Sequence, residues 1–386
     1  MEHDPRLTGR ILSLDVLRGI AILGTLATNI WIFTHPEGFV GFLNGGYGAD
    51  DALGWVERIL QQIPQGKFLG LLTLMFGIGL AIQRESALRA GRPWPNSYLW
   101  RAALLFLDGL LNYLLVVEFD ILMGYAVTGA LVAWILAGGE RRRRRWMWTM
   151  AIAHTAMLLL VTLALAAFGD AAPPPSPMGF NPYADGSWWQ LVELRIEHML
   201  LFRIEPAFIL FASVALFLAG AALYARGVLD ERGHALRRRL MWLGLGVALP
   251  LDFAVGLFGG TAGIVFARYG IAPLVALGLL ALVAEFYVGR PKPGAAGRRL
   301  AEVGRVALSA YVLQNIFASI LCYGWGFGLA GHLTADSRVP ATLGIYLLVS
   351  AMIVLLAHLW LRRFRQGPLE RLWQASCRRL QNTPAR

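Results

Sequence analysis

The sequence predicts an all-α, polytopic integral membrane protein with about ten transmembrane helices and both termini in the cytoplasm. Three observations predict it. Of 386 residues, 57% are hydrophobic and only 15% charged, whereas a soluble domain carries about a quarter charged residues. Apolar runs able to cross a bilayer core of about 30 Å recur at 12–34, 67–86, 98–117, 119–137, 146–169, 207–225, 239–258, 262–287, 303–323 and 341–361. Finally, 28 of the Lys and Arg residues fall on the side of the termini and 5 on the other, and positive loops stay cytoplasmic. This asymmetry explains the net charge of +11 without a nucleic-acid partner. Two cysteines, Cys322 and Cys377, are too few for a disulfide scaffold and show no metal spacing.

The elements follow in order. The first run is too long for a signal peptide and carries Asp15 and Arg18, so it reads as a retained helix. Residues 52–63 read as an interfacial or re-entrant piece. Runs three and four nearly touch, so Glu118, Phe119 and Asp120 must form a tight hairpin. The block Arg141–Arg145 reads as a positive-inside stop signal. Pro173, Pro174, Pro175 and Pro177 make a stiff external linker. Trp188, Trp189, Leu191, Val192, Ile196 and Leu200 alternate with Glu193, Arg195, Glu197 and Arg203, the pattern of an amphipathic helix on the outer membrane face. The chain thus divides into an N-terminal five-helix half (1–170), this linker and interfacial helix (171–206), and a C-terminal five-helix half (207–386). Internal repeats are not evident, which weighs against an inverted-repeat transporter.

Function is sought where polar groups enter apolar runs, because charge there costs a few kcal/mol, about 3 on insertion scales. In the first run Arg18, Thr25 and Asn29 share one helix face, and Asp15 lies close to it. From Asp15 to Asn29 this stripe covers about 21 Å at the rise of an α-helix. Asp108 and Asn112 stand four residues apart in the third run. Asp252 and Arg268 flank the Gly259–Gly263 turn and are expected to face each other as an ion pair. Ser309, Tyr311, Gln314 and Asn315 cluster in the ninth run. His154 and His358 read as hydrogen-bonded packing residues, and Glu205 as a helix-start acid. His35 differs, because it follows the first run directly at the outer boundary, six residues past Asn29. Imidazole titrates near neutrality, so His35 is a candidate general base.

The stretch Arg10-Ile11-Leu12-Ser13-Leu14-Asp15-Val16-Leu17-Arg18-Gly19 resembles the opening of the bacterial YeiB family. Lys67-Phe68, Phe76-Gly77-Ile78-Gly79, Asp120-Ile121-Leu122 and Tyr125-Ala126 extend the likeness. Gly304 to Gln314 and the closing Gly367-Pro368-Leu369-Glu370-Arg371-Leu372-Trp373 resemble its C-terminal domain of unknown function. The Asp-x-x-Arg-Gly opening is also similar to that of membrane acyltransferases acting on surface polysaccharides or on heparan glucosamine. In the polysaccharide enzymes the eleventh residue after the Arg is the catalytic His; here it is Asn29. The heparan enzyme resembles this chain in having Asn there and its His further on, the arrangement His35 could match at shorter spacing.

The resemblance implies acyl transfer from cytoplasmic acyl-CoA, acetyl-CoA first, to an extracytoplasmic glycan or lipid-linked sugar in a bacterial cytoplasmic membrane. Arg18, Arg84, Arg101 and Arg305 would hold the anionic donor, Thr25 would flank its arm, Asn29 would stabilise the oxyanion and His35 would act as base. Asp15, Asp108, Asn112, Asp252, Arg268 and Gln314 would line the pathway or hold helices together. Membrane lipids are expected neighbours, a homodimer is allowed, and no metal is implied. A transporter or flippase is the competing class, and a non-catalytic membrane subunit the third.

Overall fold

The computed structural model describes residues 12–44, 51–168, 180–290 and 293–381. Pro173–Pro177 of the expected linker lies outside the described residues. Within them every regular element is helical. In chain order the helices are α1 (Leu12–Phe33), α2 (Gly38–Asn44), α3 (Ala52–Gln62), α4 (Lys67–Arg89), α5 (Asn96–Leu115), α6 (Leu122–Ala137) and α7 (Glu140–Phe168). Then come α8 (Trp188–Glu197), α9 (Met199–Phe202), α10 (Ile204–Phe208), α11 (Leu210–Ala225), α12 (His234–Met241), α13 (Leu249–Phe258), α14 (Gly260–Phe266) and α15 (Ala272–Tyr287). The last four are α16 (Gly294–Arg305), α17 (Ala307–Cys322), α18 (Ala335–Arg363) and α19 (Pro368–Gln381).

A helix occupies each of the ten apolar runs. Six helical stretches are long and apolar enough to cross a membrane: Leu12–Phe33, Ala52–Arg89, Glu140–Phe168, Glu231–Phe258, Gly260–Tyr287 and Ala335–Arg363. A seventh arises if α16 and α17, bent by 90°, count as one span. α6 and α11 are apolar but shorter, at 16 residues each. α7 is buried only at His154, Leu158 and Thr162, while Phe168 is 84% exposed and Trp148 and Leu160 also face outward. So broad an apolar exterior suits a lipid surround far better than water.

Helix starts follow their capping residues. Asp51 accepts from Gly54 N at 2.7 Å to open α3, Ser187 and Gln190 form a capping box on α8, and Thr334 and Ser337 form one on α18. Gly66 turns α3 into α4 with φ +70°, which only glycine adopts readily. α3 carries its polarity inside out: Glu57, Gln61 and Gln62 are buried, whereas Leu53, Val56, Ile59 and Ile63 face outward.

At the arginine-rich end α16 lies across the start of α1. A Cβ on Gly304 would stand 1.8 Å from Asp15 O, and one on Gly19 2.0 Å from Leu300 O. The Gly of Asp-x-x-Arg-Gly therefore serves a close helix contact. The 118–120 hairpin forms as expected, but all three residues are buried. α8 packs on it, and Arg195, read from sequence as part of an outer polar face, is fully buried. The outward side of α8–α10 is mixed, with Leu200 89% exposed and Ile196, Leu201 and Ile204 outward as well, together with Glu193 and Glu197.

Candidate functional site

At the arginine-rich end α1, α4, α5, the α16–α17 bend and α19 enclose a cavity of about 430 Å³. Arg18, Arg101 and Arg305 line it, with Glu370 as the one carboxylate of its lining. Deeper, the wall becomes apolar and aromatic through Ile22, Leu72, Met75, Phe76 and Tyr311. Arg101 and Gln374 are exposed, so the space opens at the basic end. Three of the four arginines expected to hold an anion thus come together from three separate parts of the chain. Arg84 is not among the lining residues; it lies beside Arg143, whose pairing is with Leu136 O at 2.9 Å.

The polar stripe on α1 divides in the structure. Arg18 lines the cavity and reaches Asp15 at 3.5 Å. Thr25 is buried and donates to Ile22 O of its own helix at 2.8 Å, the usual retreat of a hydroxyl in an apolar helix. Asn29 is half-buried near the far end. His35 lies beyond α1, where its Nδ1 accepts from Glu37 N–H at 3.2 Å. In the neutral ring this leaves the proton on Nε2. Burial first, and then the Arg338 guanidinium, hold His35 down to about 4. It is therefore neutral across physiological pH, and base action at Nε2 requires the other tautomer.

On the same side as His35 two buried acids meet guanidiniums. Glu57 pairs with Arg338 at 3.2 Å and accepts from Gln61 at 2.8 Å. Glu118 pairs with Arg195 at 3.1 Å, and Arg195 also donates to Leu114 O and Val116 O. Arg203 donates to Asp120 O at 3.0 Å and lies 4.0 Å over the Tyr113 ring. Carboxylate and carbonyl acceptors of this kind are what burying a guanidinium demands.

Asp252 and Arg268 do not pair with each other, contrary to the expectation. Asp252 meets Lys67 and accepts from Gln62 at 2.7 Å. Arg268 pairs with Glu205 at 2.8 Å and donates to Gln65 at 3.0 Å. Each is taken by groups from other helices and turns: Lys67 and Gln62 meet Asp252, and Glu205 and Gln65 meet Arg268. Asp108 and Asn112 also part company. Asp108 accepts from Trp373 of α19, and Asn112 donates to Asp120 at 2.7 Å. His154 lies against Tyr269 O at 3.1 Å, and His358 against Glu302 at 3.2 Å. Among the described residues no group of three or more His, Cys, Asp or Glu side chains is placed to hold a metal.

Residues 223–379 match the family described as a protein of unknown function, DUF418. Over nearly its whole length the chain is similar to uncharacterised proteins: YeiB of Escherichia coli at 30% identity, covering 95% of each chain, and YxaH of Bacillus subtilis at 27%, covering 96% of this chain and 95% of the relative. A 39.9 kDa protein from the amylase 3′ region of Bacillus acidopullulyticus is 25% identical across 95% of this chain and 94% of its own. The chain belongs to the YeiB family.

The YeiB-like motifs fall on these contacts. Lys67 is the buried partner of Asp252, and Asp120 caps the start of α6 by accepting from Leu122 N at 2.9 Å. The closing motif docks α19 on the cavity. Glu370 accepts from Leu308 N at 2.9 Å and from Ser309 Oγ at 2.5 Å, capping α17. Lys67, Glu57, Arg338 and Glu370 were not legible as site residues in the sequence. Three of them sit at helix ends or loops, where hydropathy carries no signal; only Glu57, at helical spacing from Gln61, marks an inward polar face.

Proposed function

We propose that this YeiB-family protein is a membrane acyltransferase that moves an acetyl or other acyl group from cytoplasmic acyl-CoA to an extracytoplasmic glycan or lipid-linked sugar. In this reading the chain crosses a bacterial cytoplasmic membrane ten times with both termini inside. The observation that carries it is the cavity of about 430 Å³ lined by Arg18, Arg101 and Arg305, which opens at the basic end and becomes apolar with depth. An anionic head held by guanidiniums and a thioester chain entering a narrowing apolar space match that gradient.

The chemistry is nucleophilic substitution at the thioester carbonyl. The acceptor oxygen or nitrogen forms the new C–O or C–N bond, the C–S bond breaks, and the acceptor's proton ends on the departing thiolate. His35 takes that proton in transit after Glu37 N–H releases Nδ1, and Asn29 donates to the developing oxyanion, a role worth about 3 kcal/mol where it is made in full. Acetyl-CoA should bind the detergent-purified protein saturably, measured by calorimetry with free CoA and ATP as controls. Arg18→Ala should weaken it about tenfold or more, on the scale of a charged hydrogen bond. His35→Ala should abolish transfer and leave acetyl-CoA binding intact. Absence of binding by folded wild-type protein sinks the reading.

Translocation is the second reading, supported by the buried Lys67–Asp252 pair. Buried acid–base pairs at membrane depth are typical of substrate and proton pathways. Substrate counterflow in vesicles, lost in Asp252→Asn and kept in His35→Ala, would put it first.

A further inference from the structure

The arginine cavity opens at its basic end, but its deep wall is shut. Ile22, Leu72, Met75, Leu105 and Tyr311 all line it, yet each is only 2–5% exposed. An acyl chain reaches them only if part of the enclosure moves. Most of the enclosure is interlocked. α1 and α16 meet closely at Gly19 and Gly304, and α1, α4, α5, α16 and α17 each bury side chains in the core. α19 differs. It supplies Glu370, Trp373 and Gln374 to the wall, with Gln366 just before it, but none of its residues from 368 to 376 is buried. Trp373 rests on the core only partly covered. Polar contacts hold the helix instead. Glu370 accepts from Leu308 N at 2.9 Å, Ser309 N at 3.3 Å and Ser309 Oγ at 2.5 Å. Leu369 N donates to Ser309 Oγ at 3.1 Å, and Trp373 donates to Asp108. A helix with so few buried apolar contacts opens at lower cost than the core beneath it.

We propose that α19 is the lid of this cavity: it lifts to admit an anionic ligand and closes over the chain that the ligand carries inward. Glu370 is both its latch on α17 and the one carboxylate of the lining. Lifting therefore takes the negative charge away and leaves Arg18, Arg101 and Arg305 as the charges of the lining. An anion binds that open form better than the closed one, so it shifts the population toward opening. Entry and recognition are coupled through a single carboxylate. The inference rests on the cavity being the donor site and adds the step by which the donor gets in.

The test is maleimide labelling of the full-length, detergent-purified protein carrying Met75→Cys, with Cys377→Ser so that buried Cys322 is the other thiol. Reaction at position 75 reports lifting of the lid, and reaction at Cys322 reports general unfolding. Ser309→Ala releases the latch from the α17 side, at a residue outside the cavity lining, and Glu370→Ala releases it from α19. Each should speed labelling at position 75 about tenfold, the worth of a charged hydrogen bond, and leave Cys322 unlabelled. Gln374→Ala trims the lining without touching the latch and should leave the rate unchanged. The lid is overturned if position 75 never reacts, if its rate ignores both latch substitutions or follows Gln374→Ala equally, or if it reacts only as fast as Cys322. Saturating acetyl-CoA should slow labelling several-fold by covering the deep wall. If the latch pattern holds and acetyl-CoA gives no protection, the donor reading falls and the lid stands.

Discussion

The His35 end and the arginine cavity handle charge differently, although the arginine-rich end has matched pairs of its own, among them Arg237 with Glu285 and Arg299 with Glu302. At the end bearing His35, Glu57 faces Arg338, Glu118 faces Arg195, Asp252 faces Lys67 and Glu205 faces Arg268. At the arginine-rich end Arg18, Arg101 and Arg305 surround an open space with one lining carboxylate, Glu370. Matched charge fixes helices in place, since each ion finds its counter-ion inside the protein. A local excess of guanidinium around a cavity is instead an arrangement that an anionic ligand completes. Charge inside an apolar bundle is therefore no sign of a site by itself; the sign is an excess of one charge gathered around an open space.

This contrast is open to experiment. Its largest expected effect lies at the matched end. Asp252→Ala should cost about 3–5 kcal/mol, because Lys67 remains buried without its counter-ion. Replacing both, Lys67→Met with Asp252→Leu, should restore most of that loss. Thermal unfolding in detergent measures both, and a tolerated single substitution would break the picture of structural pairs.

The next effect concerns His35. Its folded value of about 4 lies below the ordinary 6.5 or so of an unfolded histidine. The unfolded chain therefore binds more protons between those values, and the His35 contribution is kept above pH 6.5 and lost as pH falls toward 4. Histidine NMR should show no titration of His35 between about pH 5.5 and 8, a window set clear of the folded value. Arg338→Gln should raise its midpoint by the smaller, electrostatic share, leaving it under 6.5 because burial dominates. A midpoint at the ordinary value would remove His35 from the enclosed cluster.

The smallest effect sharpens the comparison at the cavity. Glu370→Gln keeps a hydrogen-bond acceptor for Leu308 N and Ser309 but removes the negative charge from the lining. Binding of acetyl-CoA should tighten by several-fold, about the worth of one partly screened charge contact. Weaker binding, measured by calorimetry, would show that Glu370 itself meets the ligand.

Much of this was legible in the chain, for reasons that can be traced to particular residues. Apolar runs of about 20 residues are a one-dimensional signal, and every one of the ten is helical. The tight 118–120 hairpin followed from two runs with no room between them. Arg18, Arg101 and Arg305 could be singled out as cations at the same end of the first, third and ninth runs. Partnership was harder to read. Asp252 and Arg268 were matched by counting residues from a shared turn, a count blind to Lys67 and Glu205, which approach from other helices and pair with them. Arg195 read as surface because an amphipathic pattern shows two faces without saying which one meets the protein.

The sequence by itself determined that the chain is helical and apolar, that most of its basic residues gather on one side of the runs, and which polar residues enter them. Hydropathy and helix period act over a few residues, so a linear reading captures them. Only the tertiary structure decided which charge meets which. Lys67 and Asp252 are 185 positions apart along the numbering, and Glu370 reaches α17 across more than 60. It also decided that three distant arginines share one cavity. Pairing over such separations is set by how helices cross, and helix crossing depends on packing that no local pattern encodes.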